Sequence, residues 1–169
     1  LSLLQHLTKS DTSNIYRFYS FSPIPQKVSA EFGPNVQNIV LKPKIGWLTL
    51  RLSLELFINK VDIFLGMGQA LPLFHPARSI VYVYDLAFEL YPQFYPAPKT
   101  WCGVYPSVAQ KLSRQTKFAV KHAKTIVAIS NSTKDDLVKL YNVDPEKIEV
   151  IYPGVNINSS TSVSTVSST

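Results

Sequence analysis

The sequence predicts an α/β fold with a mainly parallel sheet, because two apolar runs are joined by a helical stretch. Residues 79–84 and 125–129 are short, rich in β-branched side chains and bounded by polar residues. This pattern is typical of strands that are buried on both faces of a parallel sheet. Residues 106–124, between the two runs, are long and periodic enough for a helix. Strand, helix and strand in this order form a βαβ unit.

Polar residues follow both predicted strands directly. Tyr84 and Asp85 end the first run, and residues 130–133, Ser-Asn-Ser-Thr, follow the second. In open parallel sheets, ligands bind just beyond the carboxyl ends of the strands. We therefore expect the chemistry of this chain at Tyr84, Asp85 and residues 130–133.

Length and composition indicate one globular domain with a genuine core. The chain has 169 residues, of which 46% are hydrophobic and 17% are charged, and these values argue against wholesale disorder. The formal net charge of +6 favours phosphorylated ligands, anionic membrane surfaces or nucleic acid over basic partners. It does not choose among these three classes.

The single cysteine, Cys102, excludes an intrachain disulfide and a cysteine-based zinc site, so a reducing compartment is the default expectation. Beside Trp101 it is more typical of a small apolar filler than of a nucleophile. No apolar stretch approaches the roughly 18–20 residues of a membrane span, and no secretory signal is recognisable. Because the chain starts without Met inside a helical pattern, we expect it to be cut from a larger protein.

The secondary-structure elements before residue 79 are predicted from the spacing of apolar residues and from Pro and Gly residues that end helices and strands. These patterns predict the end of a helix at 1–8, strands at 15–21, 36–41 and 61–65, and a helix at 47–59. The last of these carries apolar side chains at most positions, so we expect it to be buried on more than one face.

A glycine-containing loop follows the strand at 61–65. The spacing of Gly66 and Gly68 matches neither the dinucleotide-binding fingerprint nor the Walker pattern. We expect a strand-end loop whose backbone approaches another group closely. His75 in the same loop is a candidate ligand contact, although a surface histidine is the commoner case.

Two later stretches leave alternatives open. Residues 91–98 are rich in proline and aromatic side chains, which either line a binding cleft or cover the edge of the core. The helix at 106–124 has a basic face that is either a solvated surface or a contact for anionic lipid or phosphate. That face consists of Lys111, Arg114, Lys117, Lys121 and Lys124.

The end of the domain is predicted from caps and composition. Ser132 and Asp135 resemble a capping box for a helix at 133–141, and the same first-turn amides can alternatively bind an anion or a sugar hydroxyl. A strand at 148–152 ends at Pro153 and Gly154. From residue 159 onward nine of eleven residues are Ser or Thr, so we expect a domain at 1–156 and a disordered tail at 157–169.

Several separate blocks, in order, resemble the amino-terminal domain of family-4 glycosyltransferases, over about residues 39–156. The blocks are VYDLAFELYPQFYP at 83–96, AVKHAKTIVAIS at 119–130, TKDDL at 133–137, VDPEKI at 143–148 and YPGV at 152–155. The resemblance implies one half of a GT-B fold, in which two Rossmann-like domains with helices on both sheet faces face each other across a cleft.

The resemblance also implies a function. Family members are retaining, metal-independent enzymes that need no cofactor and use a nucleotide-sugar donor, which the carboxy-terminal domain mainly binds. The first domain holds the acceptor, here a glycan or a lipid-linked acceptor. Tyr84 and Asp85 are then the candidate catalytic residues. The implied acceptor cleft contains Gly66, Gly68, Phe88, Ser130, Ser132, Thr133 and Gly154.

Two departures from the family pattern leave a second interpretation open. The family usually has His where this chain has Tyr84, and a phenol cannot become cationic near neutral pH. The first strand with its glycine-rich loop, and the donor domain, are expected to be missing. We therefore expect a cytoplasmic glycosyltransferase fragment for polysaccharide synthesis, inactive alone, with the inner membrane surface and not nucleic acid as a further partner. The alternative is a degenerate domain that acts as a non-catalytic binding or scaffold module.

Overall fold

The computed structural model describes residues 2–96 and 106–154, which form two parallel sheets with helices around them. Predictions for residues 97–105 and for the tail at 157–169 lie outside the described residues. The elements in chain order are α1 Ser2–Ser10, β1 Tyr16–Ser20, α2 Gln26–Ser29, β2 Val36–Val40, α3 Leu52–Ile58, β3 Phe64–Gly66, β4 Ser79–Val83, α4 Ala87–Leu90, α5 Val108–His122, β5 Thr125–Ala128, α6 Asn131–Tyr141 and β6 Ile148–Val150.

The larger sheet has four strands in the order β3-β4-β5-β6, and every neighbouring pair is parallel. The predicted βαβ unit is β4, α5 and β5, and its strands pair from Ile80 opposite Thr125 to Val83 opposite Ala128. The smaller sheet pairs β1 with β2, also in parallel. The predicted α/β class with a mainly parallel sheet is therefore confirmed.

The main core lies between the four-stranded sheet and the helices α4, α5 and α6. Val81 and Val83 alternate with half-buried residues along β4, so one face of that strand points into the core. Ala119 of α5 and Leu137 of α6 meet this face and are fully buried. The helix α5 begins at a capping box in which Ser107 and Gln110 bond each other's backbone amides.

A second, smaller core joins the two-stranded sheet to α3. It contains the buried leucines Leu41, Leu52 and Leu56. Phe64 of β3 packs against this cluster and against the main core, so it links the two sheets.

The helix predicted at 47–59 differs from expectation in its burial. Its first turn, Trp47–Arg51, is π-helical and continues directly into α3. Leu52, Ser53, Glu55 and Leu56 are buried, whereas Leu50, Leu54 and Phe57 are 68%, 53% and 61% exposed. The prediction of burial on more than one face was wrong, because α3 packs on the small core with one side only.

Short helical turns occupy two stretches that the sequence left irregular. The turn Ala87–Leu90 follows Asp85, and a 3₁₀ turn spans Pro92–Phe94. Proline fixes φ near the helical value and is tolerated in a first turn, which explains how this proline-rich stretch remains ordered. Within the described ranges, no helix combines the length and the apolar character needed to span a membrane.

Candidate functional site

The candidate site is the edge of the four-stranded sheet where β3, β4, β5 and β6 end. Because all four strands are parallel, the residues that follow Gly66, Val83, Ala128 and Val150 lie along the same edge. A direct hydrogen bond joins two of these loops, since the Thr133 hydroxyl donates to the Tyr84 carbonyl oxygen at 3.1 Å. The structure therefore brings Tyr84, Asp85 and the start of α6 together.

Asp85 is held by its own backbone turn. Its Oδ1 accepts a hydrogen bond from the amide of Ala87 at 2.9 Å, which starts the helix α4. The Asp85 side chain remains exposed, and the neighbouring Tyr84 side chain is 43% exposed. A carboxylate and a phenol are thus accessible side by side, and both are groups that hydrogen-bond sugar hydroxyls.

The cap of α6 is Ser130 and not Ser132, which corrects the predicted capping box. The backbone of Ser130 is extended, and its hydroxyl accepts a hydrogen bond from the amide of Thr133 at 3.1 Å. Because the Thr133 hydroxyl donates to Tyr84, the Ser130 hydroxyl donates its proton to Thr133 Oγ1, 3.0 Å away. Ser132 lies in the first turn of the helix and is exposed.

The two predicted loop glycines have different surroundings. Gly66 is buried at the end of β3, and a Cβ on it would lie 2.9 Å from the carbonyl oxygen of Ala70. The group that the Gly66 backbone approaches closely is therefore part of its own loop. The same loop contains a hydrogen bond from the Ala70 amide to the Gly68 carbonyl. A Cβ on Gly68 would meet nothing within 4 Å, so this residue is open to solvent.

Phe88 and Gly154 are placed differently from the other predicted cleft residues. Phe88 is only 2% exposed and belongs to the main core, where its ring packs edge-on against Tyr95 with centroids 6.4 Å apart. Gly154 is exposed and follows β6 at the site edge. Phe88 therefore supports the loop after Asp85 from inside, whereas Gly154 borders the edge.

Two further groups near this edge involve Tyr152, which was not a predicted site residue, and the aromatic stretch 91–98, whose role the sequence left open. The Asn131 amide donates to the Tyr152 hydroxyl at 3.0 Å, which ties the segment after β6 to the start of α6. Tyr91 and Phe94 are exposed, with ring centroids 6.4 Å apart, whereas Tyr95 packs on the core. The sequence left open whether these rings line a cleft or cover the core, and the fold shows Tyr91 and Phe94 exposed and Tyr95 packed on the core.

Burial raises the pKa of two tyrosines, Tyr82 of β4 and Tyr141 of α6. Burial and the nearby Tyr84 together raise the pKa of Tyr82. The pKa of Tyr141 is raised by burial and by the hydrogen bond that its hydroxyl donates to Glu89 on α4. Both phenols stay protonated near neutral pH. Among the described residues, no three His, Cys, Asp or Glu side chains are arranged to hold a metal ion.

The basic face predicted on α5 is exposed in the structure, at Lys111, Arg114, Lys117 and Lys121. The Lys147 side chain binds carbonyl oxygens near the carboxyl end of α5. Its ammonium group donates to the carbonyl oxygens of Val120 at 2.8 Å and Lys121 at 3.1 Å, and burial lowers its pKa. His75 lies near β4, with Nδ1 3.0 Å from the Ser79 hydroxyl. That histidine precedes the strand, so it does not belong to the edge where the strands end.

Comparison with known proteins adds two findings. Residues 68–159, more than half of the chain, match the profile of the family described as Glycosyltransferase Family 4. The chain is also 33% identical over 112 residues to the O-antigen chain mannosyltransferase RfbU of Salmonella typhimurium. The aligned part is 65% of this chain but only 27% of that protein, so this chain spans about a quarter of its relative.

Proposed function

This chain belongs to glycosyltransferase family 4, and we propose that it forms the acceptor-binding part of an enzyme that transfers a sugar from a nucleotide-sugar donor. The acceptor is a glycan or a lipid-linked glycan. The similar Salmonella protein is named as an O-antigen chain mannosyltransferase, which supports a hexose as the transferred sugar and a polysaccharide as the product.

One observation carries the proposal. The hydrogen bond from the Thr133 hydroxyl to the Tyr84 carbonyl fixes two strand-end loops against each other at a single sheet edge. This edge is where parallel sheets bind ligands. Asp85 and the first turn of α6 are therefore held at a constant separation, as a site that positions one sugar ring requires.

The residues of the edge divide into two roles. Asp85 and Tyr84 contact the acceptor or the transferred sugar: the carboxylate accepts hydrogen bonds from sugar hydroxyls, and its negative charge stabilises the positive charge that develops on the sugar as the diphosphate leaves. Ser130 and Thr133 position these two residues and the helix start. Ser132, Gly68 and Gly154 are exposed along the same edge and contact the rest of the acceptor.

Aromatic side chains extend the proposed acceptor site. The exposed rings of Tyr91 and Phe94 lie in the loop that follows Asp85. A flat ring covers the apolar face of a sugar, and a tyrosine hydroxyl adds a hydrogen bond. Phe88 and Gly66 serve this site by packing the loops and not by contact with ligand, because both are buried.

Donor binding and location complete the proposal. The groups that neutralise the departing diphosphate are supplied by a separate donor-binding domain of the same enzyme, and the chain alone is inactive. The reaction takes place in the cytoplasm, at the inner face of the membrane when the acceptor is lipid-linked. A nucleotide sugar is then the donor substrate, and no metal or other cofactor takes part.

A non-catalytic binding module is the second candidate, and Tyr84 is the observation that favours it. Its phenol replaces the imidazole that the family usually carries at this position, so no cationic group forms there near neutral pH. The two hypotheses can be separated in a two-domain protein that includes a donor-binding domain. If the chain is part of an enzyme, we expect sugar transfer with Tyr84 present. If it is a non-catalytic module, we expect sugar transfer only after Tyr84→His.

Acceptor binding can be tested on the chain itself by saturation-transfer NMR with an oligosaccharide released from Salmonella O-antigen. We expect the wild type to bind and Asp85→Asn to bind about tenfold more weakly, since a hydrogen bond to a charged group contributes about 1.5–3 kcal/mol. Asparagine retains the side-chain oxygen that accepts the hydrogen bond from the Ala87 amide, so the turn before α4 is preserved.

Lys117→Gln on the exposed face of α5 is the control and is expected to bind as the wild type does. An absence of saturation transfer from the wild type to the oligosaccharide would contradict acceptor binding by this chain. Equal binding by wild type and Asp85→Asn would remove Asp85 from the site.

A further inference from the structure

An exposed apolar strip runs along one side of α3 and onto the loop that packs beside it. The strip consists of Leu50, Leu54, Phe57, Ile58, Leu73 and Phe74, all exposed. Leu54, Phe57 and Ile58 follow a helical spacing of three and four residues, so they lie on one face of α3, and Leu50 precedes them in the π-helical turn. An exposed contiguous apolar surface of this kind marks an interaction site.

The strip is rigid, because its two parts are joined by specific contacts. The Phe74 amide donates to the Ser53 hydroxyl at 3.1 Å, and Ser53 in turn donates to the Thr49 carbonyl at 2.6 Å. The rings of Phe57 and Phe74 pack edge to face with centroids 5.2 Å apart. The opposite side of α3 is anchored in the small core by Leu52 and Leu56. The exposed side chains are therefore presented by an ordered helix.

Three lysines flank this helix in the sequence. Lys42 and Lys44 precede the helix and Lys60 follows it, and all three are exposed. None of the three forms an ion pair with a carboxylate in the described ranges, where Glu55 is the acidic partner of Arg51 at 3.3 Å. The Lys44 ammonium lies 4.8 Å from the centre of the Phe21 ring. Between residues 41 and 61 the sequence has four basic residues and one acidic residue.

We propose that the apolar strip and Lys42, Lys44 and Lys60 together dock this protein on an anionic lipid surface. A helix lies in a membrane interface when its apolar face enters the headgroup region while lysines bind anionic headgroups. The basic face of α5 lacks the apolar half of this combination, since its exposed positions are Lys111, Arg114, Lys117 and Lys121. This proposal does not depend on which sugar is transferred or whether transfer occurs.

The test is co-sedimentation of the chain with vesicles of phosphatidylcholine alone or of an equimolar mixture with phosphatidylglycerol. We expect binding to the mixed vesicles only. Leu54→Gln/Phe57→Gln should weaken it by at least about tenfold, because two apolar side chains no longer enter the lipid. Lys42→Gln/Lys44→Gln/Lys60→Gln should weaken it on the order of a hundredfold, since each lysine contributes to attraction by anionic lipid.

The matched control removes the same number of charges from α5, as Lys111→Gln/Arg114→Gln/Lys117→Gln, and should change binding within about threefold because screening limits distant charges. All these side chains are exposed, so circular dichroism should report a wild-type fold. The proposal is overturned if the wild type does not bind, or if the α5 variant loses as much binding as the lysine variant. It is also overturned if Leu54→Gln/Phe57→Gln binds normally, or if it abolishes a wild-type dimer in analytical ultracentrifugation, which would assign the strip to a second copy.

Discussion

The two parts of the molecule, which meet at Phe64, are stabilised in different ways. The second region, the described residues from 61 to 154, contains a cluster of fourteen buried apolar residues between the four-stranded sheet and its helices. The first region, residues 2–60, has three buried leucines in its core. Hydrogen bonds from polar side chains to the backbone further stabilise the first region. For example, the Asn35 side-chain amide donates to the carbonyls of Asp11 and Asn14, both at 2.8 Å.

This difference relates stability to function. The family profile covers residues 68–159, so the part that it matches is the part with the large core and the candidate site. The proposed acceptor site would require a rigid scaffold, and a large apolar core provides one. The first region instead leaves apolar side chains of α3 exposed, which suits it to contact with another surface.

The largest expected effect is the loss of a core leucine in the second region. Leu137 is fully buried between α6 and the sheet. We expect Leu137→Ala to lower the free energy of unfolding by about 3–5 kcal/mol and Leu56→Ala in the small core by about 2–3 kcal/mol, because a small core with an open rim collapses more easily around a cavity. Urea denaturation followed by circular dichroism measures both values. Equal losses would mean that the two cores are equally well packed and would break the comparison.

A glycine substitution in the first region should have an intermediate effect. A Cβ on Gly33 would lie 2.2 Å from the carbonyl oxygen of Thr8 and 2.6 Å from the Asn35 side-chain oxygen. Because Thr8 also accepts a hydrogen bond from the Gly33 amide at 3.1 Å, the two backbones cannot separate without losing this contact. We expect Gly33→Ala to destabilise the chain by about 2 kcal/mol, a cost typical of overpacking.

Gly68→Ala is the matched control in the second region, where a Cβ would meet nothing within 4 Å. Its unfolding free energy should stay within about 0.5 kcal/mol of the wild type. The urea denaturation midpoints of Gly33→Ala and Gly68→Ala measure this difference in stability. A Gly33→Ala protein as stable as Gly68→Ala would show that the contact between Thr8 and Gly33 does not constrain the first region.

The sequence predicted the second region well, for a physical reason. Strands inside a parallel sheet are continuous apolar runs, so 79–84 and 125–129 identified β4 and β5 to within one residue at their ends. The predicted burial on both faces holds for β5, whereas the second face of β4 is only half-buried. The helix at 47–59 was predicted but its exposed face was not. Apolar residues occupy most of its positions, so no periodicity distinguishes the buried side from the exposed side.

The candidate site was predicted only in outline. Residues 84, 85 and 130–133 lie at one edge of the sheet, as their positions after parallel strands indicated. Their roles in sugar transfer stay predictions. Ser130 and Ser132 are equally good caps by residue type, and the extended backbone of Ser130 decides between them. The burial of Phe88 depends on the packing of α4 against α5 and on the Tyr95 ring, which no local pattern encodes.

The smallest expected effect tests the polar network of the first region. Hydrogen bonds from the Tyr16 hydroxyl at 2.6 Å and the Asn14 amide at 2.7 Å lower the pKa of Asp11 from 3.8 to about 2. A lowered pKa in the folded state means that the Asp11 carboxylate stabilises the protein above about pH 3.8 and that this contribution is lost as the pH falls through about 2.

Thermal unfolding between pH 6 and pH 2 tests this contribution. At pH 6 the wild type should have a higher melting temperature than Asp11→Asn, and this gap in melting temperature should close as the pH falls. Other carboxylates titrate in both proteins and cancel in the difference. Tyr16→Phe removes the hydrogen bond that lowers the pKa of Asp11 most. In that background the gap between Asp11 and Asp11→Asn should therefore be smaller and should close at a higher pH. Melting curves that stay parallel over the whole range would show that the charge of Asp11 does not stabilise the first region.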